Sequence, residues 1–354
     1  MAPPGPVEHR NSFDALRVAA ALCVFLGHQC DLMGFKEPVL GPLGITLSNT
    51  GLFVFFAVSG YLVAQSLARD PRPLAFLRAR ASRIYPGAAV NAVACVLLGA
   101  AVTTLPAAHY WTEPGTWRYL AHGIAILVPP TVLELPGVFA DAPWPSVDTP
   151  IWTLKYELLC YGVLLLLGLG ARAARLPWRG TLGLAAALLV VAYVWRIAAA
   201  PPPPEGEFYT RFNGFNLLRF GMIFAAGALY AEAASLRLAL ALGAAALVVL
   251  APAAEVARAG LLLLVVPLAI EVGRSPILFS PRYRRFGDLS YGLYLYGYPV
   301  QVLLATRFAG RLGFWPLALV ALGATLVCAT LSWLLVERPA LRWKRGTAPR
   351  PARL

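Results

Sequence analysis

Residues 13–29 read FDALRVAAALCVFLGHQ. An apolar run of this length suits a membrane helix, yet it carries Asp14 and Arg17 near its start and His28 near its end. Ionisable groups at membrane depth are expensive, so they face a protein interior or a polar cavity rather than lipid. Arg17 and His28 are eleven positions apart. At 100° per residue, eleven steps bring the second side chain to within about 20° of the first, with a rise of roughly 16 Å. One helix face therefore presents an arginine and a histidine about half a bilayer apart in depth. Asp14, three residues before Arg17, can pair with it across one turn.

The rest of the chain supports a membrane setting. Of its 354 residues, 59% are hydrophobic and 13% charged, and the mean hydropathy is +0.66. A water-soluble domain carries about twice that charged fraction. Apolar stretches of about twenty residues recur, which predicts an all-α polytopic membrane protein. Its bundle of about ten transmembrane helices lies near 12–31, 45–68, 85–105, 151–170, 181–199, 212–232, 236–251, 258–272, 287–306 and 314–336. The stretch 118–135 contains Pro129 and Pro130 and is expected to be interfacial or re-entrant. The first run shows no small-residue cleavage pattern and is read as a retained span.

Charge placement orients the bundle. With the N-terminus in the cytoplasm, twenty Lys and Arg residues fall inside and six outside. Four more, Arg17, Lys155, Arg196 and Arg219, fall at membrane depth. The positive-inside rule then predicts both termini cytoplasmic, in the cytoplasmic membrane. The expected layout is an N-terminal tail over 1–11, a transmembrane domain over 12–343 and a disordered basic tail over 344–354. Topology and anionic lipid account for the net charge of +13, so the lipid bilayer is the partner and nucleic acid is not. The five cysteines are odd in number and lack CxxC spacing, and the four histidines offer no metal-ligand pattern. No metal or permanently bound cofactor is expected.

Four further patches carry polar chemistry. In FFAVSGYLVAQSLARD (55–70), Ser59, Gly60 and Tyr61 interrupt an apolar run, as close helix packing or a polar pocket wall would require. In FLRARASRIYP (76–86), Arg80 and Arg83 share a face just before a span. Such a pair suits a multiply phosphorylated ligand, because guanidinium grips phosphate oxygens bidentately. In IWTLKYELLCY (151–161), Trp152 suits an interfacial belt. Glu157 there is an acid inside a span, near the depth of His28, where it would orient the imidazole or pair with Lys155. In FGDLSYGLYLYGYPV (286–300), Tyr291, Tyr294, Tyr296 and Tyr298 form a hydroxyl-rich helix. Near the end, Glu337-Arg338-Pro339 reads as a helix stop.

Together these residues resemble the acyltransferase 3 family of integral membrane acyltransferases. The resemblance rests on R-x10-H (Arg17 to His28), F-x-x-SG-Y-L (Phe56 to Leu62), R-x-x-R-I-x-P (Arg80 to Pro86), W-T-L-x-x-E (Trp152 to Glu157) and SY-x-L-Y-L (Ser290 to Leu295). It extends over essentially the whole chain. It implies transfer of an acyl group, commonly acetyl, from acyl-CoA as co-substrate to a hydroxyl of a glycan, lipid-linked or small-molecule acceptor. It implies His28, Arg17 and Glu157 as catalytic residues. Arg80, Arg83, Ser59, Tyr61, Trp152, Tyr291 and Tyr294 would bind substrate. Many members carry a second histidine where this chain has Gly297, so a role for one there is excluded. The alternative class is a small-molecule transporter or flippase with a buried Arg/His/Glu relay. Missing internal repeats and the Arg80/Arg83 pair weigh against it.

Overall fold

The computed structural model describes residues 11–40, 44–140, 142, 144–203, 205–251, 253–279 and 287–346. The N-terminal tail through residue 10, the arginines at 282, 284 and 285, and the C-terminal tail from residue 347 lie outside the described residues.

Helices α1 (Phe13–Leu32), α2 (Leu47–Arg69) and α3 (Pro73–Val102) come first. Between α1 and α2, the strands β1 (Val39–Leu40) and β2 (Ile45–Thr46) pair antiparallel. Two short helices follow, α4 (Ala107–Thr112) and α5 (Pro114–Ile124). A 3-10 turn (Thr149–Thr153) leads into α6 (Leu154–Ala173), then α7 (Trp178–Ala199) and the short α8 (Glu205–Thr210). Next are α9 (Gly214–Glu232), α10 (Arg237–Val249) and α11 (Ala254–Arg274). Last come α12 (Ser290–Phe308), α13 (Phe314–Ser332), a π-helical turn (Trp333–Glu337) and α14 (Arg338–Gly346).

Among the described residues, eight helical stretches are long and apolar enough to cross a bilayer. They are α1, α2, α3, α6 with its 3-10 turn, α7, α9, α11, and α13 running on to Arg342. The thirteen-residue α10 and the tyrosine-rich α12 occupy the other two expected positions. The chain is thus an all-α polytopic membrane protein.

Three local features bear on the site, the second as expected and the other two not. The arginine segment expected before the third span is already helical, because α3 starts at Pro73. Proline at the first helical position has φ preset and lacks only an N–H that would have no partner. At thirty residues, α3 is about 45 Å long, so its arginine-bearing turns extend a membrane-length helix. The 118–135 stretch does not span: α5 ends at Ile124, and the chain to Asp148 is irregular. Glu337-Arg338-Pro339 is not a stop either. The π-helical turn before it widens the helix, Pro339 sits in the first turn of α14, and the helix continues to Gly346.

Helix α2 lies at the centre, against α1 on one side and α9 on the other. Its close approach to α9 depends on two glycines. A methyl group on Gly60 would meet the carbonyl oxygen of Phe224, and one on Gly227 would meet that of Ala57. Small residues of this kind let membrane helices approach backbone to backbone. Phe56 and Phe220 stack beside that contact, with centroids 4.3 Å apart.

Candidate active site

Among the described residues, two of the cavities bring the polar side chains of the bundle together. The first has a volume of about 600 Å³ and is bordered by Arg17, Arg69, Arg80 and Arg83, by Asp14, Glu157 and Asp288, and by the aromatic rings of α2 and α12. The second, of about 790 Å³, is bordered by His28, with walls from the loops at 130–134 and 208–210. Leu52 and Tyr294 border both. Helix α1 runs past the two, placing Arg17 at one and His28 at the other. Their shared helix face requires this arrangement.

In the arginine cavity, Asp288 is the hub. It lies in the loop before α12 and is only 8% exposed. Its Oδ2 accepts from Arg83 and lies 3.2 Å from Arg17 Nη2. Its Oδ1 accepts from the Ser290 hydroxyl at 2.5 Å and from the Ser290 N–H at 3.1 Å. Arg17 also pairs with Asp14 at 2.5 Å, as the three-residue spacing predicts. Arg83 reaches toward Glu337 as well, at 3.9 Å, and the Ser332 hydroxyl donates to that carboxylate at 3.0 Å. Arg80 differs from its neighbour. It lies over the rings of Phe76 and Tyr161, at 5.9 and 5.7 Å, and its buried Nε has no hydrogen-bond partner among the described residues. The two arginines therefore share a cavity but not their surroundings: Arg83 is bound by Asp288, and Arg80 Nε has no hydrogen-bond partner among the described residues.

Glu157 departs from expectation. It borders the arginine cavity, where it accepts from Ser59 at 3.0 Å and from Tyr161. The Ser59 and Tyr161 oxygens are 2.8 Å apart. No contact with His28 or Lys155 is present. The reason is depth along the helix. Trp152 borders the histidine cavity and Thr153 already borders the arginine cavity, so Glu157, one turn beyond Thr153 on the same face, lies deeper still.

The SGY triplet divides its residues among three neighbours, because successive helix positions turn by 100°. Ser59 faces the arginine cavity and Gly60 faces α9. Tyr61 borders neither of these two cavities: it is 4% exposed and stacks on Phe13 with centroids 5.6 Å apart. Trp152 is likewise no interfacial anchor. It is 4% exposed, within 6 Å of the rings of Tyr156, Phe208, Tyr209 and Phe220, and forms an aromatic wall of the histidine cavity.

On α12, alternate tyrosines do different work. The Tyr291 hydroxyl donates to the Ile84 carbonyl at 2.7 Å, beneath the Arg83 guanidinium. The Tyr294 hydroxyl lies 2.6 Å from that of Thr153 and donates to the Pro150 carbonyl at 2.8 Å. That puts a hydroxyl at the junction of the cavities. Tyr298 meets the imidazole of His28 edge-on, with centroids 5.1 Å apart. The sequence reading missed the roles of Asp288, Thr153 and Tyr161. An acid next to the Ser290-Tyr291 motif was the available signal for the first. Among the described residues, neither Lys nor Arg borders the histidine cavity, while Asp31, Glu37 and Glu134 do. The two cavities are thus electrostatically distinct: one mouth favours an anionic ligand and the other does not.

The family described as Acyltransferase domain matches residues 10–335. Among curated relatives, the chain is 29% identical to Nodulation protein 10 of Rhizobium leguminosarum bv. viciae, covering 97% of this chain and 96% of that protein. It is 23% identical to the O-acetyl transferase of Shigella phage Sf6, covering 93% and 95% respectively. It is 27% identical to Acyltransferase MdmB of Streptomyces mycarofaciens, covering 99% and 97%. No solved structure matches significantly.

Proposed function

Because the chain belongs to this acyltransferase family and is a membrane-embedded O-acyltransferase, we propose that its donor is acyl-CoA, bound in the arginine cavity, and that its acceptor hydroxyl is presented in the histidine cavity. The observation that carries this reading is the meeting of two chemically opposite cavities at Leu52 and Tyr294. Arg80, whose Nε has no hydrogen-bond partner among the described residues, grips the phosphates of the donor. Arg83, Arg17 and Asp288 form the rigid charged frame beside it. The charge bias supports reading this mouth as open to the cytoplasm, where acyl-CoA is available. The pantetheine arm then passes Ser59 and Glu157, and the thioester reaches the junction.

There His28 acts as general base. Its imidazole takes the proton of the acceptor hydroxyl as that oxygen attacks the thioester carbon. Negative charge develops on the thioester oxygen, where a re-aimed Tyr294 or Thr153 hydroxyl donates to it. Collapse of the tetrahedral species breaks the carbon–sulfur bond, and the imidazolium returns its proton to the departing thiolate. Glu157 acts here as a positioning residue, fixing Ser59 and Tyr161 beneath Arg80. The acceptor is a sugar, glycan, lipid-linked or natural-product hydroxyl of neutral or cationic character, since the histidine cavity has acids and aromatic rings but, among the described residues, neither Lys nor Arg on its border.

Membranes containing the protein should transfer label from radiolabelled acetyl-CoA to an extractable acceptor. Mass spectrometry of surface glycans and metabolites should show acetyl or longer acyl differences only when the protein is present. Absence of any acyl difference, with the protein expressed in its own host, would refute the reading.

A further inference from the structure

Lys155 has no catalytic part in the reading above, yet it is one of the most completely enclosed charges in the molecule. It is 4% exposed. Its Nζ donates to four oxygens: Thr131 Oγ1 at 2.9 Å and the carbonyls of Tyr209, Thr210 and Arg211 at 3.2, 3.3 and 3.1 Å. The ring of Tyr156 lies 5.4 Å away. None of these partners is a carboxylate. A buried ammonium without a counter-ion is tolerated only when its N–H bonds are fully used, and here four acceptors share three N–H bonds. The cage is therefore a cation site built into the protein, filled by the protein's own lysine.

What the cage joins gives it a function. Tyr209 and Thr210 end α8, where the last carbonyls of a helix lack partners within it. Thr131 belongs to the other loop. Its N–H donates to the Thr210 carbonyl at 2.8 Å, so that single oxygen receives both the lysine and the opposite loop. Tyr156, the next residue on α6, donates to the Arg211 carbonyl at 3.5 Å and accepts from the Asn213 N–H at 3.1 Å. The loops joined in this way are the two that supply Pro130 to Glu134 and Phe208 to Thr210 to the wall of the histidine cavity. Neither loop reaches the arginine cavity.

We propose that Lys155 is a positioning residue that clamps these two loops into one wall of the histidine cavity, and that an alkylammonium ion can replace its side chain. This rests on the reading of that cavity as the acceptor site. The effect should be confined to the acceptor. Removing the ammonium leaves four oxygens facing a vacated space, the loops separate, and acceptor affinity falls. The donor, held on the other side of Leu52 and Tyr294, is untouched.

The test uses the full-length protein in detergent, with Lys155→Ala and Lys155→Met. Hydrogen–deuterium exchange should rise tenfold or more in residues 128–134 and 207–212 and stay at the wild-type rate in α2 and α3. Millimolar ethylammonium chloride should restore protection in Lys155→Ala, whereas tetramethylammonium, which has no N–H, should not. With labelled acetyl-CoA as donor and octyl glucoside as acceptor probe, KM for the glucoside should rise at least tenfold, with KM for acetyl-CoA within twofold. Unchanged exchange in both loops, or equal rescue by the two amines, would overturn the clamp. If neither variant can be purified folded, recovery of folded Lys155→Ala when ethylammonium is present throughout supports it, and failure to recover refutes it. Wild type that transfers no acetyl group counts against the proposed reaction, while the exchange measurement still decides the clamp.

Discussion

Arg83 donates to Asp288, a carboxylate 205 positions further along the chain, which also lies 3.2 Å from Arg17. The ion cluster ties α1, α3 and the start of α12 together at the floor of the arginine cavity. Two arginines three residues apart differ in this respect: Arg83 is paired with Asp288, whereas Arg80 has no ion-pair partner among the described residues. On the proposed reading, Arg83 holds the frame and Arg80 binds the donor.

Arg80→Ala should therefore weaken acetyl-CoA binding while leaving the fold intact. The lost charge-assisted contacts are worth about 1.5–3 kcal/mol, or roughly a tenfold to hundredfold rise in Kd. Lysine should recover only part of this, because the bidentate fork is gone. Arg83→Ala should instead lower the melting temperature, since it removes a partner from a buried carboxylate. Asp288→Asn in that background should restore part of the stability. Calorimetric binding and thermal melting read the two effects. Equal binding losses with equal stability in both single variants would contradict the division.

His28→Ala should abolish acyl transfer without loss of acetyl-CoA binding. Loss of a general base removes about 10²–10⁴-fold in rate. Glutamine should not rescue, because an amide does not accept the proton. Turnover near wild type would remove the histidine from the mechanism.

Tyr294→Phe tests the junction. If its hydroxyl stabilises the developing oxyanion, kcat should fall by about 10²-fold, with KM for acetyl-CoA nearly unchanged. A fall in donor affinity with kcat preserved would make Tyr294 a wall and nothing more.

Asp148 should make stability depend on pH. It is fully buried, accepts from Asn91 Nδ2 at 2.5 Å, and its Oδ1 has no hydrogen-bond partner among the described residues. Burial pushes its carboxyl up to about 8, and the Asn91 hydrogen bond opposes this only in part. The folded protein thus holds this proton more tightly than the unfolded chain. The associated stability is full below the ordinary carboxylate range near 4 and is lost as pH rises toward 8. Asp148→Asn, neutral at every pH, should flatten the decline in melting temperature across that window. A variant with the wild-type slope would show that Asp148 is not its source.

Membrane topology is open to direct labelling. The charge bias puts α5 outside and the first turns of α3 inside. Single cysteines at the exposed positions Arg118 and Arg78, in a background without the native cysteines, should react from opposite sides. Reaction of both from one side would remove α3 as a span, and reaction of each from the opposite side would invert the orientation proposed for the two cavities.

The positions of the membrane helices and the common face of Arg17 and His28 were legible in the amino-acid order. Both follow from local rules: apolar length, and a fixed turn and rise per residue. The motif at 56–62 was legible as a polar break, but the separate directions of Ser59, Gly60 and Tyr61 required the neighbours on α9 and α1. Which carboxylate neutralises which guanidinium was not legible, because Arg83 meets Asp288 only after α3 and α12 are packed. Glu157 was misplaced for a related reason: which cavity a residue of α6 borders depends on how α6 packs, and here its partners are Ser59 on α2 and Tyr161. Lys155 is the clearest case. Its partners are a hydroxyl and three backbone carbonyls from two distant loops. Carbonyls are common to every residue and leave no mark in a sequence, so only the tertiary fold could gather them around one charge.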